Sequence, residues 1–235
     1  MCAILEGGCK IQKILAGRQR FKQVVRRAET VVARLGFTTS ADYWEKRYRR
    51  GGTSGAGSYN RLAEFKAEVL NDFVRVNRVR TVIEFGSGDG AQVQLAEFPD
   101  YVGVDVSQTA ISACRRRFAG DSSKRFVHTG DISTQDRGEL ALSLDVIYHL
   151  VEDEVFDSYM CQLFDAADRY VIVYSSNDTR DWPDPHVKHR RFTDWVDQNR
   201  PDFTVTERIP NRYPYSSDDP DNTSFADFYV FTRRN

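Results

Sequence analysis

The ten residues 81–90, TVIEFGSGDG, decide the fold of this 235-residue chain. They begin with a β-branched, apolar run, which is typical of a buried strand, and continue with glycines at positions 86, 88 and 90. Glycine is needed where the backbone turns tightly at the end of a strand and approaches a ligand closely, because a Cβ atom would be in the way. With a helix expected over residues 91–98, the stretch predicts a strand, a ligand-binding loop and a helix in succession.

Strand-like and helix-like segments alternate downstream of this stretch. The runs YVGVDV, RFVHTGD, LSLDVIYHL and RYVIVYSS are typical of strands, and residues 108–118 and 153–167 are typical of helices. Such alternation predicts an α/β fold in which a parallel sheet carries helices on both faces. A short helix at residues 192–199 and two aromatic runs, DFTVTERI and FADFYVFT, then predict a closing antiparallel pair of strands.

The first 58 residues predict a helical extension. Residues 1–50 contain 12 Lys or Arg and 4 Asp or Glu, whereas residues 51–235 contain 21 and 30. A helical period of apolar residues over 11–35 predicts a basic amphipathic helix that packs on its own domain, on a partner or on an anionic membrane surface. A second helix is expected after Ser40 as N-cap, and GGTSGAGS at residues 51–58 predicts a flexible loop. We therefore expect an extension over residues 1–58 and a main domain over residues 59–235.

Whole-chain features exclude several classes of protein. The formal net charge of −1 disfavours a protein held mainly by phosphate backbones, such as one that binds DNA. No window approaches the run of about 18 apolar residues that a transmembrane helix needs, and the first ten residues do not resemble a signal peptide. The four cysteines form neither a C-x-x-C pair nor a zinc-binding spacing. These features predict a cytoplasmic protein.

Three acids at the ends of the first three strands indicate the type of ligand. Glu84 lies two residues before the first glycine, Asp105 ends YVGVDV, and Asp131 follows the third strand in HTGDI. An acid at the position of Asp105 accepts hydrogen bonds from ribose hydroxyls in NAD-binding and adenosyl-binding proteins alike. The string GSGDGA also satisfies the dinucleotide pattern G-x-G-x-x-G/A, so NAD is an alternative. The carboxylate of Glu84 favours a cation over a pyrophosphate, so the acids suit a ligand with an amine, a diol and an adenine.

These residues resemble the class I S-adenosylmethionine-dependent methyltransferases. The resemblance rests on the motif E-x-G-x-G-x-G and on three later segments: Glu84, Gly86, Gly88 and Gly90; Asp105; Asp131-Ile132; and LDVIYHL at residues 144–150. It covers residues 80–175 and implies a Rossmann-like, seven-stranded, mostly parallel sheet that ends in an antiparallel strand. The segments YWEKRY, GSYNRLAEFK and HVKHRRF further resemble bacterial methyltransferases associated with glycan assembly.

The resemblance implies a cofactor site for S-adenosylmethionine. Residues 86–90 are expected to lie under its methionine part, Asp105 to bind its ribose and Asp131 to bind its adenine amine. The expected cofactor-binding residues are Glu84, Gly86, Ser87, Gly88, Gly90, Asp105, Val106, Asp131 and Ile132. The tip of the fourth strand is expected to face the methyl group.

His149 is the candidate general base. Methyl transfer depends mainly on positioning, and a base adds about 10² to 10⁴ in rate when the acceptor is a hydroxyl. His149 ends the predicted fourth strand in DVIYHLVED, at the edge where open α/β sheets bind ligands. Glu152 and Asp153 nearby either raise its pKa and orient it, or begin the next helix. The sequence therefore predicts O-methylation of a hydroxyl, with a saccharide or glycoconjugate favoured as acceptor.

Candidate acceptor-binding residues come from two loops. His186, His189 and Arg190 lie in DWPDPHVKHRRF after the fifth strand, where they can hold a phosphorylated or acidic acceptor. Tyr59 and Arg61 follow the glycine-rich loop, which can close over the site as a lid. Acids near the two histidines are of metal-ligand type but form no tight cluster, so no metal ion is predicted.

Other functions stay open at the level of sequence. Enzymes that methylate amino groups of nucleic acids carry Asp/Asn-Pro-Pro-Tyr/Phe at the tip of the fourth strand. We expect YHLV, residues 148–151, at that tip, which disfavours this class. An RNA hydroxyl, a protein and a small metabolite remain open as acceptors. A non-catalytic partner protein of the same fold is a further alternative, but it would not need the intact glycines and acids.

Overall fold

The computed structural model describes residues 37–234. The predicted basic helix at residues 11–35 lies outside the described residues, so its existence and its role stay predictions. Within the described range the chain forms five α-helices and one seven-stranded sheet. No helix of residues 37–234 is both long enough and apolar enough to cross a membrane.

A seven-stranded sheet forms the centre of this part of the chain. Its strands are β1 Thr81–Phe85, β2 Asp100–Asp105, β3 Lys124–His128, β4 Gly138–Leu144, β5 Ala167–Ser175, β6 Phe203–Ile209 and β7 Asp227–Arg233. They lie in the order β3-β2-β1-β4-β5-β7-β6, with β1 to β5 parallel and β7 antiparallel to both of its neighbours. The predicted α/β fold, a Rossmann-like, mostly parallel sheet with a closing antiparallel pair, is confirmed.

Helices cover both faces of the sheet, as predicted. They are α1 Ser40–Arg49, α2 Asn60–Val76, α3 Gln108–Arg117, α4 Asp153–Asp165 and α5 Phe192–Asn199. Successive strand residues point to opposite faces. Val82 belongs to the apolar cluster that includes residues of α2 and α3, whereas Ile83 belongs to the cluster that includes residues of α4 and α5. Both faces are therefore buried, which explains why β1 is an uninterrupted apolar run apart from Glu84.

The predicted helix over residues 91–98 is wrong. Only Gln92–Leu95 is helical there, as a turn of 3₁₀ helix. The side chain of Asn71 in α2 donates to the Leu95 carbonyl at 3.0 Å and accepts from the Glu97 amide at 2.9 Å. These backbone groups therefore bond to a side chain rather than along a helix. Pro99 follows Phe98 directly, and a proline disfavours the helical conformation of the residue before it.

The fourth strand ends earlier than predicted. The sequence predicts a strand through residues 144–150, but β4 ends at Leu144, and Asp145 adopts φ +60°. A positive φ ends the extended backbone, and a turn of 3₁₀ helix follows at Ile147–His149. The hydroxyl of Tyr148 closes this turn by donating to the Asp145 carboxylate at 2.8 Å. The tip of β4 thus consists of residues 145–148, and His149 lies beyond it.

The start of α1 also differs from the prediction. Thr39, not Ser40, is the N-cap, because the Thr39 hydroxyl accepts a hydrogen bond from the Asp42 amide at 3.1 Å. Ser40 is the first helical residue, and its amide and hydroxyl donate to the two carboxylate oxygens of Glu152, at 2.9 and 2.6 Å. These two bonds attach α1 to the segment that precedes α4.

Candidate functional site

The glycine-rich loop after β1 lies across the carboxyl ends of β1 and β2. The amides of Gly86 and Ser87 both donate to the Val104 carbonyl, at 2.7 and 3.0 Å. Gly86 has φ +88°, and a Cβ atom on it would come within 2.3 Å of the Val146 side chain beyond β4. Both the backbone conformation and the close approach therefore require glycine at this position.

Asp105 at the end of β2 holds this loop in place. Its two carboxylate oxygens accept hydrogen bonds from the amides of Gly88 and Ser107, both at 2.8 Å. Burial raises the pKa of Asp105 to about 6, and the two amide donors oppose that rise by stabilising the carboxylate. Each carboxylate oxygen has a further lone pair. Asp105 can therefore still accept hydrogen bonds from a ligand in the adjoining cavity.

Glu84 is a buried carboxyl group beneath the same loop. Only 3% of the residue is exposed, and its Oε2 accepts a hydrogen bond of 2.5 Å from the Tyr101 hydroxyl. Burial raises the pKa of Glu84 to about 7, although Tyr101 and the ammonium of Lys66 act to lower it. A cation bound beside Glu84 would stabilise its charged form.

A cavity of about 380 Å³ opens beside these residues at the carboxyl edge of the sheet. Its wall includes the candidate base His149 and six of the predicted cofactor-binding residues: Glu84, Gly86, Ser87, Gly88, Asp105 and Val106. Apolar and aromatic side chains form much of the remaining wall: Ala41, Trp44, Tyr48, Phe85, Leu144, Val146, Leu150, Val155 and Tyr159. A mostly apolar wall with a few oriented polar groups is typical of a small-molecule site.

Helix α1 forms one wall of the cavity. Trp44 and Tyr48 of this helix line the cavity. Glu45 attaches the same helix to the start of α3 by accepting hydrogen bonds from the Ser107 and Thr109 hydroxyls, both at 2.7 Å. The site therefore contains residues from both sides of the predicted domain boundary at residue 58.

The loop at residues 51–58 lies directly over the loop that follows β1. Asp89 accepts hydrogen bonds from the Ser54 amide at 2.9 Å and from the Tyr59 hydroxyl at 2.7 Å, and its own amide donates to the Ser54 hydroxyl at 3.0 Å. A Cβ atom on Gly88, which has φ +57°, would come within 2.3 Å of that hydroxyl oxygen. These hydrogen bonds place the loop as expected of a closed lid. The opening of this lid and the acceptor-binding role of Tyr59 stay predictions.

A buried ion pair lies at the tip of β4. Lys66 of α2 is 1% exposed, and its ammonium lies 2.6 Å from the carboxylate of Asp145. Both residues line the cavity. Sequence reasoning missed them because Lys66 looks like one of many charged residues on an amphipathic helix, and Asp145 was assigned to the interior of a strand. The only available signal was an acid within an otherwise apolar run.

His149 lines the cavity although it does not end a strand. Its Nδ1 lies 3.0 Å from the carbonyl oxygen of His186. Because a carbonyl only accepts, this contact assigns the proton to Nδ1 and a lone pair to Nε2. Burial lowers the pKa of His149 to about 4, so the ring is neutral near pH 7. Glu152 and Asp153 do not raise this pKa, since they bond to α1 and to the loop after β5.

The predicted acceptor-binding histidines lie behind the cavity wall. His186 stacks on Tyr43 and on His149, with ring centres 4.4 and 5.4 Å apart. His189 is 6% exposed, and its Nδ1 lies 2.6 Å from the Ser176 hydroxyl. Burial lowers the pKa of both rings. They support neighbouring side chains here, and their contact with an acceptor stays a prediction.

The predicted acceptor-binding arginines are bonded to the protein itself. Arg190 donates to two backbone carbonyls after β4, at 2.5 and 3.1 Å, and to Asp153 at 2.7 Å. Arg61 donates to a backbone carbonyl at 2.6 Å and to Asp219 at 3.1 Å. Lys66 is the only Lys or Arg of residues 37–234 on the cavity wall. The structure therefore does not bring Arg61 and Arg190 to the cavity, and their acceptor-binding role stays a prediction.

Three predicted cofactor contacts lie beside the cavity. Asp131 is exposed at the end of a 3₁₀ turn whose first residue, Thr129, lines the cavity instead. Ile132 packs on the apolar cluster that includes α4. Gly90 faces α3, where an added Cβ atom would come within 3.0 Å of the Cys114 sulfur. The roles of Asp131, Ile132 and Gly90 in cofactor binding stay predictions.

Two residues that line the cavity, Ser87 and Gln92, each have a buried polar atom, Oγ and Oε1, with no hydrogen-bond partner within the described range. Each residue is only 7% exposed. An unpaired buried polar atom costs free energy, and such atoms point to a water, an ion or a ligand that completes the site. Together with the spare lone pairs of Asp105, these atoms fit a ligand that carries hydroxyl and amino groups. The adenosyl cofactor implied by the resemblance therefore fits this donor and acceptor set.

No protein-family model and no curated protein sequence matches the chain. Solved structures with a similar fold include the N-methyltransferase NodS from Bradyrhizobium japonicum WM9 in complex with S-adenosyl-L-homocysteine. That similarity has 17% sequence identity and a TM-score of 0.62, and covers 84% of this chain and 100% of NodS. Magnesium protoporphyrin IX methyltransferase from Synechocystis PCC 6803 is 13% identical with a TM-score of 0.60, over 82% of this chain and 97% of that one. These similarities show a shared fold.

Proposed function

We propose that this protein is an S-adenosylmethionine-dependent methyltransferase of class I. The observation that carries the proposal is the cavity where the loop after β1 and Asp105 meet at the carboxyl edge of the sheet. A ligand with a diol can use the hydrogen-bonding capacity that Asp105 keeps on that side. The fold shared with two methyltransferases solved with S-adenosylhomocysteine supports the same conclusion.

The charges on the cavity wall favour this cofactor over NAD. Glu84, Asp105, Asp145 and Glu154 line the cavity, and within the described chain they face a single cation, Lys66, which is paired with Asp145. A pyrophosphate would meet mainly acids there, whereas a sulfonium cation is stabilised by them. When bound, S-adenosylmethionine supplies a methyl group that is activated by its positively charged sulfur.

We propose a hydroxyl group as the acceptor and His149 as its base. The Nε2 atom of His149 carries a lone pair and can take the hydroxyl proton as the oxygen becomes methylated. The bond from Nδ1 to the His186 carbonyl fixes the ring. Because the pKa of His149 is lowered to about 4, the base is weak, and positioning of the acceptor contributes more to the rate.

A saccharide or glycoconjugate is the proposed acceptor. Trp44 lines the cavity, and its ring centre lies 5.0 Å from that of His149. The apolar face of a sugar ring packs well on an aromatic ring, and here it would bring a hydroxyl near the candidate base. The scarcity of cations on the described wall favours a part of the acceptor that carries no phosphate. The resemblance of YWEKRY and HVKHRRF to glycan-assembly methyltransferases supports the same class.

An amine is the second candidate acceptor group, and one observation favours it. The tip of β4 is Asp145-Val146-Ile147-Tyr148, so an acid and a tyrosine occupy the first and fourth places that the amino-methylating tetrad gives to Asp/Asn and Tyr/Phe. Residues 145–148, and not 148–151, therefore occupy the place of the tetrad. The two prolines of the tetrad are absent, which keeps the hydroxyl as the first choice.

Calorimetry of the purified protein tests the cofactor. We expect S-adenosylmethionine and S-adenosylhomocysteine to bind and NAD to give no heat. Asp105→Asn should weaken the adenosyl ligands at least about tenfold, because a charge-assisted hydrogen-bond network is lost. Asp100→Asn, at the exposed start of the same strand, is the matched control and should change nothing. Binding of NAD alone, or an unchanged affinity in Asp105→Asn, would refute the proposal.

The acceptor group is tested with isotope-labelled S-adenosylmethionine and oligosaccharides that contain free amino sugars. Each oligosaccharide is assayed before and after chemical N-acetylation, which blocks amines and leaves hydroxyls. Transfer that survives N-acetylation identifies hydroxyl methylation, whereas transfer that disappears identifies the amine. Transfer only to RNA, protein or a small metabolite would replace the saccharide by one of the other acceptor classes.

The domain assignment and the cellular setting are further proposals. We propose that residues 1–58 form an extension whose later part, α1 and the loop at 51–58, covers the cavity, as their contacts with Glu152, Ser107 and Asp89 support. Its basic part at residues 11–35 is proposed to contact a partner or an anionic membrane surface. The cytoplasm is the proposed location, on the cysteine pattern described above.

A further inference from the structure

Three aromatic rings connect helix α1 with the candidate base. Tyr43 of α1 stacks on His186 with ring centres 4.4 Å apart and an angle of 13° between the ring planes. His186 stacks in turn on His149, at 5.4 Å and 11°. The three rings are therefore close to parallel, and the ring of His186 contacts both of the others. Of the three residues, only His149 lines the cavity.

His186 lies in a long connection between β5 and α5. Residues 176–191 form this connection, and they contain no helix or strand. Such a segment has no ladder of backbone hydrogen bonds, so individual contacts decide where each of its carbonyls points. Near His186 these contacts include the bond from the Lys188 amide to the Tyr148 carbonyl, at 2.8 Å, and the ring stack on Tyr43. The amide holds the backbone two residues further along, whereas the stack holds His186 itself.

The backbone carbonyl of His186 decides which nitrogen of His149 carries the proton. This oxygen lies 3.0 Å from Nδ1 and accepts its hydrogen. In a neutral imidazole ring the hydrogen bond of one nitrogen sets the state of the other, so Nε2 keeps its lone pair. If the carbonyl moved away, the proton would be free to occupy Nε2, which then has no lone pair for an acceptor proton.

Both imidazole rings of the stack are neutral near pH 7. Burial lowers the pKa of His149 to about 4, and it also lowers the pKa of His186. The guanidinium of Arg47, on the same helix as Tyr43, lowers both pKa values further. Two protonated rings would repel each other at this distance, so their neutrality preserves the stack.

We propose that Tyr43 is a positioning residue for His149 and acts through His186, a proposal that rests on the proposed role of His149 as base. The stack on Tyr43 holds the His186 carbonyl against Nδ1 and thereby keeps the lone pair of His149 on Nε2. Helix α1 then contributes to the base as well as to the wall of the cavity.

NMR spectroscopy of the protein with nitrogen-labelled histidine measures this tautomer directly. The protonated and the unprotonated nitrogen of a neutral imidazole ring have separate chemical shifts, and the His149→Gln variant identifies the signals of His149. In the parent protein we expect the proton on Nδ1. In Tyr43→Ala the shifts of the two nitrogens should move towards each other, because the ring then exchanges between both tautomers.

Two control variants on α1 separate the stack from the helix. Tyr43→Phe keeps the ring and removes only the hydroxyl, which lies 3.4 Å from a guanidinium nitrogen of Arg47. Lys46→Ala removes a partly exposed side chain one turn further along, whose ammonium lies 3.9 Å from Asp42. Both variants should keep the parent's tautomer.

A double substitution tests whether Tyr43 acts through His186. His186→Ala keeps the backbone carbonyl and removes the ring, so it should change the tautomer of His149 as Tyr43→Ala does. The double variant should show no further change, because both substitutions break the same stack. If Tyr43→Ala does not fold, as judged by circular dichroism, the tautomer in His186→Ala decides the question.

Turnover supplies a second measurement, with S-adenosylmethionine and the amino-sugar oligosaccharides of the acceptor assay. Tyr43→Ala should lower kcat about tenfold, less than the factor of about 10² expected when the base itself is removed. The KM for the oligosaccharide and the affinity for S-adenosylhomocysteine should stay within about twofold, because neither depends on the tautomer. Tyr43→Phe should restore kcat.

Several results would overturn this proposal. They are an unchanged tautomer in Tyr43→Ala and His186→Ala, a parent protein that carries the proton on Nε2, and additive effects in the double variant. A raised KM with unchanged kcat would place the residues in acceptor binding and would overturn it as well. If calorimetry shows no binding of S-adenosylhomocysteine, the proposed function fails, whereas the NMR result still shows whether the stack holds the ring.

Discussion

Replacing Glu84 by glutamine should make the protein more stable at high pH and not at low pH. The folded protein raises the pKa of Glu84 from its ordinary value of 4.5 to about 7, chiefly by burial. Between these two values the folded state keeps the proton that the unfolded state has lost, so the carboxyl group makes the protein less stable as the pH rises. The difference between the two pKa values, at about 1.36 kcal/mol for each unit, corresponds to about 3 kcal/mol of unfolding free energy.

The substitution Glu84→Gln removes the ionisation and keeps the shape. The Tyr101 hydroxyl can still donate to the amide oxygen, and Lys66 keeps its pairing with Asp145. At pH 5 the carboxyl group is largely protonated in the folded protein, so the variant and the parent should differ little. At pH 8 the charged form is buried in the parent only, and the variant should gain up to about 3 kcal/mol.

Urea unfolding at several pH values between 5 and 8 measures this difference. At each pH, the unfolding free energy of the parent is subtracted from that of the variant. The contributions of other titrating groups, such as His149, cancel because they are present in both proteins. Glu68→Gln is the control, because Glu68 is exposed and paired with Arg212, and its substitution should give no difference that grows over this range. A free-energy difference for Glu84→Gln that stays constant from pH 5 to 8 would show that Glu84 is ionised throughout, and would refute the reasoning.

Two further predictions concern the base and the lid. His149→Gln should lower turnover by about 10² and leave the affinity for S-adenosylhomocysteine intact. Because burial lowers the pKa of His149 to about 4, the turnover of the parent protein should show no titration midpoint near 6.5, the ordinary pKa of histidine. Wild-type turnover in the variant excludes this base. Asp89→Ala removes the acceptor of the Ser54 amide and the Tyr59 hydroxyl, so S-adenosylhomocysteine should dissociate faster in stopped-flow measurements. If S-adenosylhomocysteine dissociates from Asp89→Ala as slowly as from the control Asp72→Ala, Asp89 does not hold the loop closed over the ligand.

The elements that sequence reasoning placed correctly are those whose signal is local. The strand β1 is a contiguous apolar run, and the glycines that follow it are required by their own backbone conformation. The six predicted cofactor residues on the cavity wall fall within two short segments, residues 84–88 at the end of β1 and residues 105–106 at the end of β2. Their placement needed only the rule that parallel strands end at the same edge of a sheet.

The errors arose where a side-chain hydrogen bond changed the local outcome. Residues 91–98 have a helical pattern, but Asn71 takes up their backbone groups. Residues 144–150 are typical of a strand by composition, yet the bond from Tyr148 to Asp145 closes a turn and places His149 beyond the strand's end. Arg190 looked available for an acceptor because its partner Asp153 lies 37 positions away in the chain.

The sequence by itself determined the α/β class, the order of the elements, the glycine loop and the acids at the ends of β1 and β2, because each depends on residues that are neighbours in the chain. Only the tertiary structure decided which other groups share the cavity with them. Trp44 comes from a helix assigned to the extension, and Lys66 meets Asp145 across 79 positions. Pairings of this kind depend on packing between elements, and no local pattern encodes them. They decide which polar groups are left free to bind a ligand.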